Sequence, residues 1–269
     1  MIDVVYVSDL GDIADYFDIA YLLLSPRFSV TLVIPEAQQD SVAALRQLLP
    51  SKKCTTLFDV ESVKGEGATW IVTADYAMAS RILDWKTNDI RSKVSRLFLV
   101  GGQINNYGAS EQDFRFSPRL RQSNPEFFQS SGDPRVLDSA ALNRLLVSGE
   151  SIIWLPRDVC LWRYSAAEIF ALGPNPVNQW LLRRHVEYTG QNKPVLLSSL
   201  PAFCLSVSPD TMPWLRLFQT SMARLSVTGN GGSVQTDLTT ADPNAYVVTA
   251  IDGFACGKLI TDVLRGATE

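Results

Sequence analysis

Histidine is nearly absent from this chain of 269 residues, which contains a single one, His185. A Ser-His-Asp or Cys-His mechanism would have to use that side chain. The residue lies in the charged, helix-like stretch 180–188, so we expect it to be a solvated surface histidine. This placement argues against both mechanisms.

Cysteine is also sparse. The four cysteines are Cys54, Cys160, Cys204 and Cys256. None of them forms a Cys-x-x-Cys pair, so the sequence indicates neither a zinc site nor a disulfide scaffold. We expect all four to act as small buried hydrophobic residues.

Long apolar runs and basic clusters are missing as well. No apolar run approaches the roughly 18 residues of a membrane-spanning helix, and the first residues lack the basic segment of a signal peptide. The 24 basic and 28 acidic side chains give a net charge of −4, which argues against binding nucleic acid by phosphate neutralisation. We expect a cytoplasmic protein with a small-molecule ligand, and neither a nucleic-acid nor a membrane partner.

The chain does have ample apolar content, 46% of its residues, which excludes disordered and fibrous classes. There is no internal repeat, no low-complexity tract and no long linker. We therefore predict one domain over residues 1–269.

Short β-rich runs alternate with helical patterns along most of the chain. The predicted strands are 4–7, 28–34, 55–58, 70–73, 96–100, 151–155 and 244–250; the predicted helices are 17–24, 41–49, 77–85, 135–147 and 251–264. Residues 223–228 and 233–237 flank a Gly-rich turn and predict a small β-hairpin. This order predicts an α/β fold with a mostly parallel sheet flanked by helices, whose ligands bind beyond the carboxyl ends of the strands.

An acidic loop follows the first predicted strand and holds Asp9, Asp12, Asp15 and Asp18. Carboxylate oxygens at a strand end suit a hard cation such as Ca²⁺ or Mg²⁺. Alternatively, Asp12 or Asp15 caps the next helix and interacts with its dipole. Asp18 lies nearly one helical turn beyond Asp15, and we expect it to point elsewhere.

A second polar pair, Asn105 and Asn106, follows the Gly101-Gly102 end of a predicted strand. These amides are candidates for lining a pocket. A plain turn explains the same residues.

The acidic loop resembles the first motif of the inosine/uridine-preferring nucleoside hydrolase family. In that family, Asp-x-Asp-x-x-x-Asp-Asp or a glycine-containing variant chelates calcium, and Ser8-Asp9-Leu10-Gly11-Asp12-Ile13-Ala14-Asp15 follows the variant with one glycine fewer. Three later segments resemble family motifs in the same order. They are 97–102, 125–134 with its Pro-Glu-Phe-Phe and Asp-Pro, and 151–158.

Four departures affect the functional residues of that pattern. Val7 stands in place of the first aspartate, Ala14 in place of one of the adjacent pair, and Phe128 in place of a substrate-binding asparagine. The segment Ser199-Leu200-Pro201 corresponds to a family His-Asp-Pro. Only Asp9 and Asp15 carry over as calcium ligands, with Asp12 or Asp18 available to compensate in part for the missing carboxylates.

The resemblance implies a nucleoside-hydrolase-like fold and an N-glycosidase-type hydrolase acting on a nucleoside or a related glycosylated small molecule. It implies Asp9 as general base or metal ligand, Asp15 as metal or ribose contact, Glu126 as sugar contact, and a homo-oligomer. The departures favour an alternative: a catalytically inactive protein that binds a ligand or an oligomeric partner, or a metal-free enzyme with a different reaction.

Overall fold

A computed structural model describes most of the predicted sheet. The described residues are 1–8, 10, 13–48, 54–72, 94–100, 152–155, 162–164, 166–189, 195–197, 218–228, 233–237, 241–251 and 253–266. The predicted helices at 77–85 and 135–147 lie outside these residues, as do Cys160 and Cys204. Among the described residues, no helix is long and apolar enough to cross a bilayer.

Eleven strands are present in the described part of the chain. They are β1 (Ile2–Val7), β2 (Phe28–Val33), β3 (Cys54–Leu57), β4 (Ala68–Val72), β5 (Val94–Val100), β6 (Ile152–Leu155), β7 (Trp162–Tyr164), β8 (Val195–Leu197), β9 (Phe218–Thr228), β10 (Ser233–Asp237) and β11 (Ala245–Ile251). Every strand predicted from the sequence is found, within a few residues of its expected bounds. The pair β7 and β8 forms a small separate antiparallel sheet, and neither of these two strands was predicted.

Five α-helices accompany these strands within the described ranges. They are α1 (Ile13–Leu24), α2 (Gln39–Leu48), α3 (Ala166–Ala171), α4 (Pro176–Thr189) and α5 (Gly253–Leu264). A short 3-10 helix, Glu36–Gln38, precedes α2. The short helix α3 was not predicted.

The main sheet has nine strands in the order β10-β9-β11-β6-β5-β4-β1-β2-β3. The seven strands from β11 to β3 are parallel to their neighbours. Strands β9 and β10 extend the sheet with antiparallel pairings. The predicted parallel α/β architecture and the C-terminal hairpin are both confirmed.

The strand order reverses between β1 and β4. The chain runs outward from β1 through β2 to β3, then returns to β4 on the other side of β1 and continues to β5 and β6. In open parallel sheets, loops diverge at such a reversal and leave a crevice at the carboxyl ends of the two strands. The crevice expected here opens beside Val7 and Val72, the last residues of β1 and β4.

The core lies on both faces of the central strands. Residues 4–7 of β1 and all of β4 are buried on successive positions, as expected for a parallel sheet covered on both sides. Tyr6, Ile71 and Phe98 share one register row across β1, β4 and β5 and belong to the same core cluster as residues of α1 and α5. Helix α1 also packs against α4 and α5.

In the register row that contains Tyr6, Ile71 and Phe98, side chains become exposed from β11 onward. The same row continues from Phe98 to Ile153 on β6, Tyr246 on β11 and Met222 on β9. Ile153 is half-buried, whereas Tyr246 and Met222 are exposed. In this register row, the fully buried side chains therefore run from Tyr6 on β1 to Phe98 on β5.

Asn175 joins two helix ends that are far apart in sequence. Its Oδ1 accepts a 2.8 Å hydrogen bond from the Asn178 N–H, so it caps α4, which begins with Pro176. Its Nδ2 donates a 3.1 Å hydrogen bond to the Leu264 carbonyl at the end of α5. One side-chain amide thus satisfies a free N–H at the start of α4 and a free carbonyl at the end of α5.

The prediction of a solvated His185 is wrong, because this histidine is fully buried. It lies on α4 four residues after Leu181 and eight after Val177, and all three are buried. Residues at this spacing share one helix face, and α4 packs against α1 and α2. The charged residues that suggested exposure, Arg183 and Glu187, lie at exposed positions of the same helix.

Truncation of two phenylalanines should lower the free energy of unfolding by different amounts, because only one of them lies in the core. Phe98 is fully buried on β5, whereas Phe170 on α3 is 76% exposed. We expect Phe98→Ala to lower the free energy of unfolding by about 3–5 kcal/mol, because it leaves a cavity in the buried core cluster. The matched Phe170→Ala should change it by less than about 0.5 kcal/mol. Urea unfolding followed by tryptophan fluorescence measures both, and equal losses would contradict the assigned core.

Candidate active site at the carboxyl end of β1

The chain leaves β1 through a turn with unusual backbone geometry. The Ser8 N–H donates to the Val33 carbonyl at 3.0 Å, and the Leu10 N–H donates to Ser8 Oγ at 2.9 Å. Leu10 is buried and has a φ of 55°, in the left-handed region that non-glycine residues seldom occupy. Surrounding contacts must offset the cost of this conformation, and such residues concentrate at functional sites.

Asp15 lies in the first turn of α1, beside the end of β1. Its side chain is fully buried, and so is that of Asp18 one turn later. The Tyr6 hydroxyl, which comes from β1, lies 3.1 Å from Asp15 Oδ1 and 2.7 Å from Asp18 Oδ2, in position to donate to either. The structure thus gathers a phenol and two carboxylates away from solvent.

The expectation that Asp18 points away from Asp15 is therefore wrong. Residues three positions apart lie on the same side of a helix, so both carboxylates face β1. Sequence reasoning also missed Tyr6. The available signal was a polar hydroxyl within an otherwise aliphatic buried strand, opposite the acidic start of a helix.

Of the site residues predicted from the sequence, the described part of the chain includes Asp15 only. The other predicted site residues lie outside the described residues: Asp9, Asp12, Asn105, Asn106 and Glu126. Their roles remain predictions. Asp15 itself lies in the first turn of α1, which follows β1 at the reversal of strand order.

Calcium needs more oxygen ligands than the described residues supply. A calcium ion takes about six to eight oxygens. Within the described ranges, no three His, Cys, Asp or Glu side chains cluster closely enough to hold a metal ion. Asp15 and Asp18 supply carboxylate oxygens beside Tyr6, but these two alone do not make a calcium site. Further ligands would have to come from outside the described residues, where the predicted ligands Asp9 and Asp12 lie.

Tyr16, the residue after Asp15 in α1, contacts an aromatic ring and a guanidinium group of α4. The Tyr16 and Trp180 ring centroids are 5.5 Å apart, and Trp180 is buried. The Arg184 guanidinium carbon lies 5.7 Å from the Tyr16 ring centroid and 5.8 Å from that of Trp180. These cation–π distances fix α4 against the first turn of α1.

The chain was compared with known proteins by sequence and by structure. No sequence-family model matches it, and neither does any curated protein. Solved structures do match over the full length. An inosine-guanosine nucleoside hydrolase aligns with a TM-score of 0.70 at 11% identity and covers 98% of this chain and 99% of its own. The chain has a nucleoside hydrolase fold.

Two further solved structures extend this likeness. A purine-preferring ribonucleoside hydrolase from Gardnerella vaginalis has a TM-score of 0.65 at 15% identity, covering 98% of each chain. An inosine-uridine preferring nucleoside hydrolase from Bacillus anthracis has a TM-score of 0.65 at 12% identity, covering 98% of this chain and 99% of its own. At such identities, the likeness establishes the fold.

In this chain, an apolar residue stands at one position where the family motif has a carboxylate. Val7, the last residue of β1, is fully buried. Its side chain has no oxygen to offer a metal or a sugar. The carboxylates described at this edge therefore come from α1.

Cys54 does not have the properties of a reactive nucleophile. Burial raises the pKa of its thiol to about 11, although Arg46 and a hydrogen bond with Thr56 act in the opposite direction. A thiol with so high a pKa is almost entirely protonated at neutral pH, and the thiolate is the nucleophile.

We expect iodoacetamide to label Cys54 in the native chain at about pH 8 at least tenfold more slowly than in the urea-unfolded chain. Peptide mass spectrometry separates this site from the other cysteines. Arg46→Gln should slow native labelling further, because Arg46 lowers the pKa of Cys54. Equal rates in native and unfolded chains would contradict the assigned environment.

Proposed function

We propose that this chain is an N-glycosidase-type hydrolase that acts on a nucleoside or a related glycosylated small molecule. The observation that carries the proposal is Asp15, a buried carboxylate beside the end of β1. That edge adjoins the reversal of strand order, where open parallel sheets bind ligands. The full-length likeness to nucleoside hydrolases supports the same reaction class.

Asp9 is the proposed general base or metal ligand. Asp15 contacts the metal or a ribose hydroxyl, and Asp12 adds a metal carboxylate. Asn105 and Asn106 line the pocket, and Glu126 contacts the sugar. A second copy of the chain is the proposed partner in a homo-oligomer.

The reaction is hydrolysis at the anomeric carbon. Asp9 accepts a proton from water, the water oxygen forms a bond to the anomeric carbon, and the carbon–nitrogen bond breaks with its electron pair going to the nucleobase. The departing nucleobase nitrogen takes up a proton. Positive charge develops on the sugar ring, and nearby carboxylates stabilise it.

Calcium would contribute by lowering the pKa of bound water, if Asp9, Asp12 and Asp15 hold it together. Each charge-assisted contact is worth about 1.5–3 kcal/mol. A site with fewer carboxylates than the family pattern would therefore bind calcium more weakly than a complete one. We expect weak activity on common nucleosides for the same reason.

A ligand-binding protein without catalysis is the second candidate. The buried Val7 favours it, because an aliphatic side chain at the binding edge can neither hold a metal nor move a proton. The same scaffold would then serve as a ligand-binding or oligomeric subunit. Activity measurements separate the two candidates.

We expect the purified chain to release free base from at least one of inosine, guanosine and uridine, detected by chromatography. Asp9→Asn should lower kcat by about 100-fold or more, because an amide cannot act as a general base. Asp15→Asn should also lower kcat/KM. Elemental analysis after dialysis and thermal melts with added calcium report on the metal independently of turnover.

Asp242→Asn is the matched control, since Asp242 is exposed and precedes β11, which lies four strand positions from β1 in the sheet. It should leave activity unchanged. An Asp9→Asn variant with full activity would exclude the role assigned to Asp9. Absence of turnover, together with nucleoside-induced stabilisation, would favour the non-catalytic candidate.

A further inference from the structure

Ser8 fixes the chain at the end of β1 through both its backbone and its side chain. Its N–H donates to the Val33 carbonyl at 3.0 Å, which extends the pairing of β1 with β2 by one residue. Its Oγ accepts the Leu10 N–H at 2.9 Å. A serine that accepts the N–H two residues later closes a tight side-chain turn. Ser8 is fully buried, so bulk water does not compete for this hydrogen bond.

Leu10 is the strained member of this turn. Its φ of 55° lies in the left-handed region, where the Cβ of a leucine crowds the following carbonyl oxygen. It is the only non-glycine residue with a positive φ in the part of the chain that the structure describes. The Leu10 side chain is buried in the same core cluster as Ile34. The hydrogen bond to Ser8 and the burial of the leucine side chain together offset the strain.

Asp9 stands between these two residues in the sequence and lies outside the described residues. The contacts of Ser8 fix the backbone before Asp9, and the left-handed conformation of Leu10 fixes the backbone after it. Backbone strain persists where the surrounding structure over-determines it, and it concentrates at functional sites, where it serves preorganisation. The strained turn therefore encloses the residue to which the proposed function assigns the general base.

We propose that Ser8 is a positioning residue whose Oγ holds Leu10 in the left-handed conformation and so sets the direction of the Asp9 carboxylate. This inference rests on the proposed function, in which Asp9 accepts a proton from water. A general base must lie within about 2.6–3.2 Å of the group whose proton it takes. A displacement of about 1 Å can lower the rate about a hundredfold. Without the Ser8 Oγ, Leu10 would relax toward an ordinary negative φ and Asp9 would turn with it.

A purely structural role for Ser8 makes a different prediction. If the hydrogen bond only stabilises the fold, its removal lowers the melting temperature and the fraction of active chain, whichever residue stands at position 9. If Ser8 acts through Asp9, its removal slows turnover only while Asp9 can act as a base. The two roles therefore separate when the serine is removed in an Asp9→Asn background.

The experiment measures kcat and KM for release of free base from the preferred nucleoside, with the full-length chain. We expect Ser8→Ala to lower kcat about tenfold or more and to leave KM within about threefold of wild type, because a displaced base affects the chemical step more than substrate binding. In the Asp9→Asn background, Ser8→Ala should cause no further loss of kcat. Ser8→Thr keeps the γ-oxygen and should restore kcat to within about threefold of wild type.

Ser25→Ala is the matched control. Ser25 is also buried, and its Oγ likewise accepts the N–H two residues later, that of Arg27, at 3.4 Å. It precedes β2 and so lies at the amino-terminal edge of the parallel strands, opposite the edge at which Ser8 follows β1. Its removal should lower the melting temperature and leave kcat unchanged.

A crystal structure of the Ser8→Ala protein provides a readout that does not depend on turnover. Leu10 should leave the left-handed region in this variant. A Leu10 φ that stays positive overturns the proposal, because the Ser8 Oγ would then not be what holds the turn.

Three kinetic results also overturn the proposal. They are a Ser8→Ala protein as fast as wild type, an equal loss of kcat in the wild-type and Asp9→Asn backgrounds, and a folded Ser8→Thr protein as slow as Ser8→Ala. If Asp9→Asn abolishes turnover and Ser8→Ala does not affect it, the proposed function stands and this inference alone fails. If wild type releases no base from any nucleoside, the proposed function fails and this inference fails with it.

Discussion

Burial of β1 on both faces determines where polar chemistry can occur in this fold. From Val4 to Val7 the strand has no solvent-facing side, because β2 and β4 flank it and helices cover the sheet. Polar groups must therefore collect where the strand ends. Ser8 and Asp15 occupy that edge, and the neighbouring reversal of strand order provides space there. The position of the candidate site is thus a consequence of packing.

The parallel sheet was predictable because its signal is local. A strand buried on both faces appears in the sequence as a short apolar run, and β4 and β5 show that pattern directly. Strand β7 and helix α3 have three and six residues, too short for periodicity to show. His185 was wrongly predicted to be exposed, because its exposed charged neighbours in the sequence lie on the other face of α4.

The candidate site was less predictable because it depends on contacts between elements. The sequence indicated Asp15, since a carboxylate after the first strand of an α/β fold faces the binding edge. It did not indicate that Tyr6 reaches the same carboxylate from the strand, because that contact requires the position of α1 over β1. The fold itself persists at 11% identity to an inosine-guanosine nucleoside hydrolase, which shows that burial pattern carries more of the architecture than residue identity does.

The amide of Asn175 has a mechanical consequence. It contacts Asn178 at the start of α4 and Leu264 at the end of α5, 89 positions further along the chain. Helix α4 therefore cannot slide along its own axis without breaking a contact to α5. Because Trp180 and Arg184 on α4 contact Tyr16 beside Asp15, a displacement of α4 would be transmitted to the first turn of α1, and the Asn175 hydrogen bond to α5 opposes it.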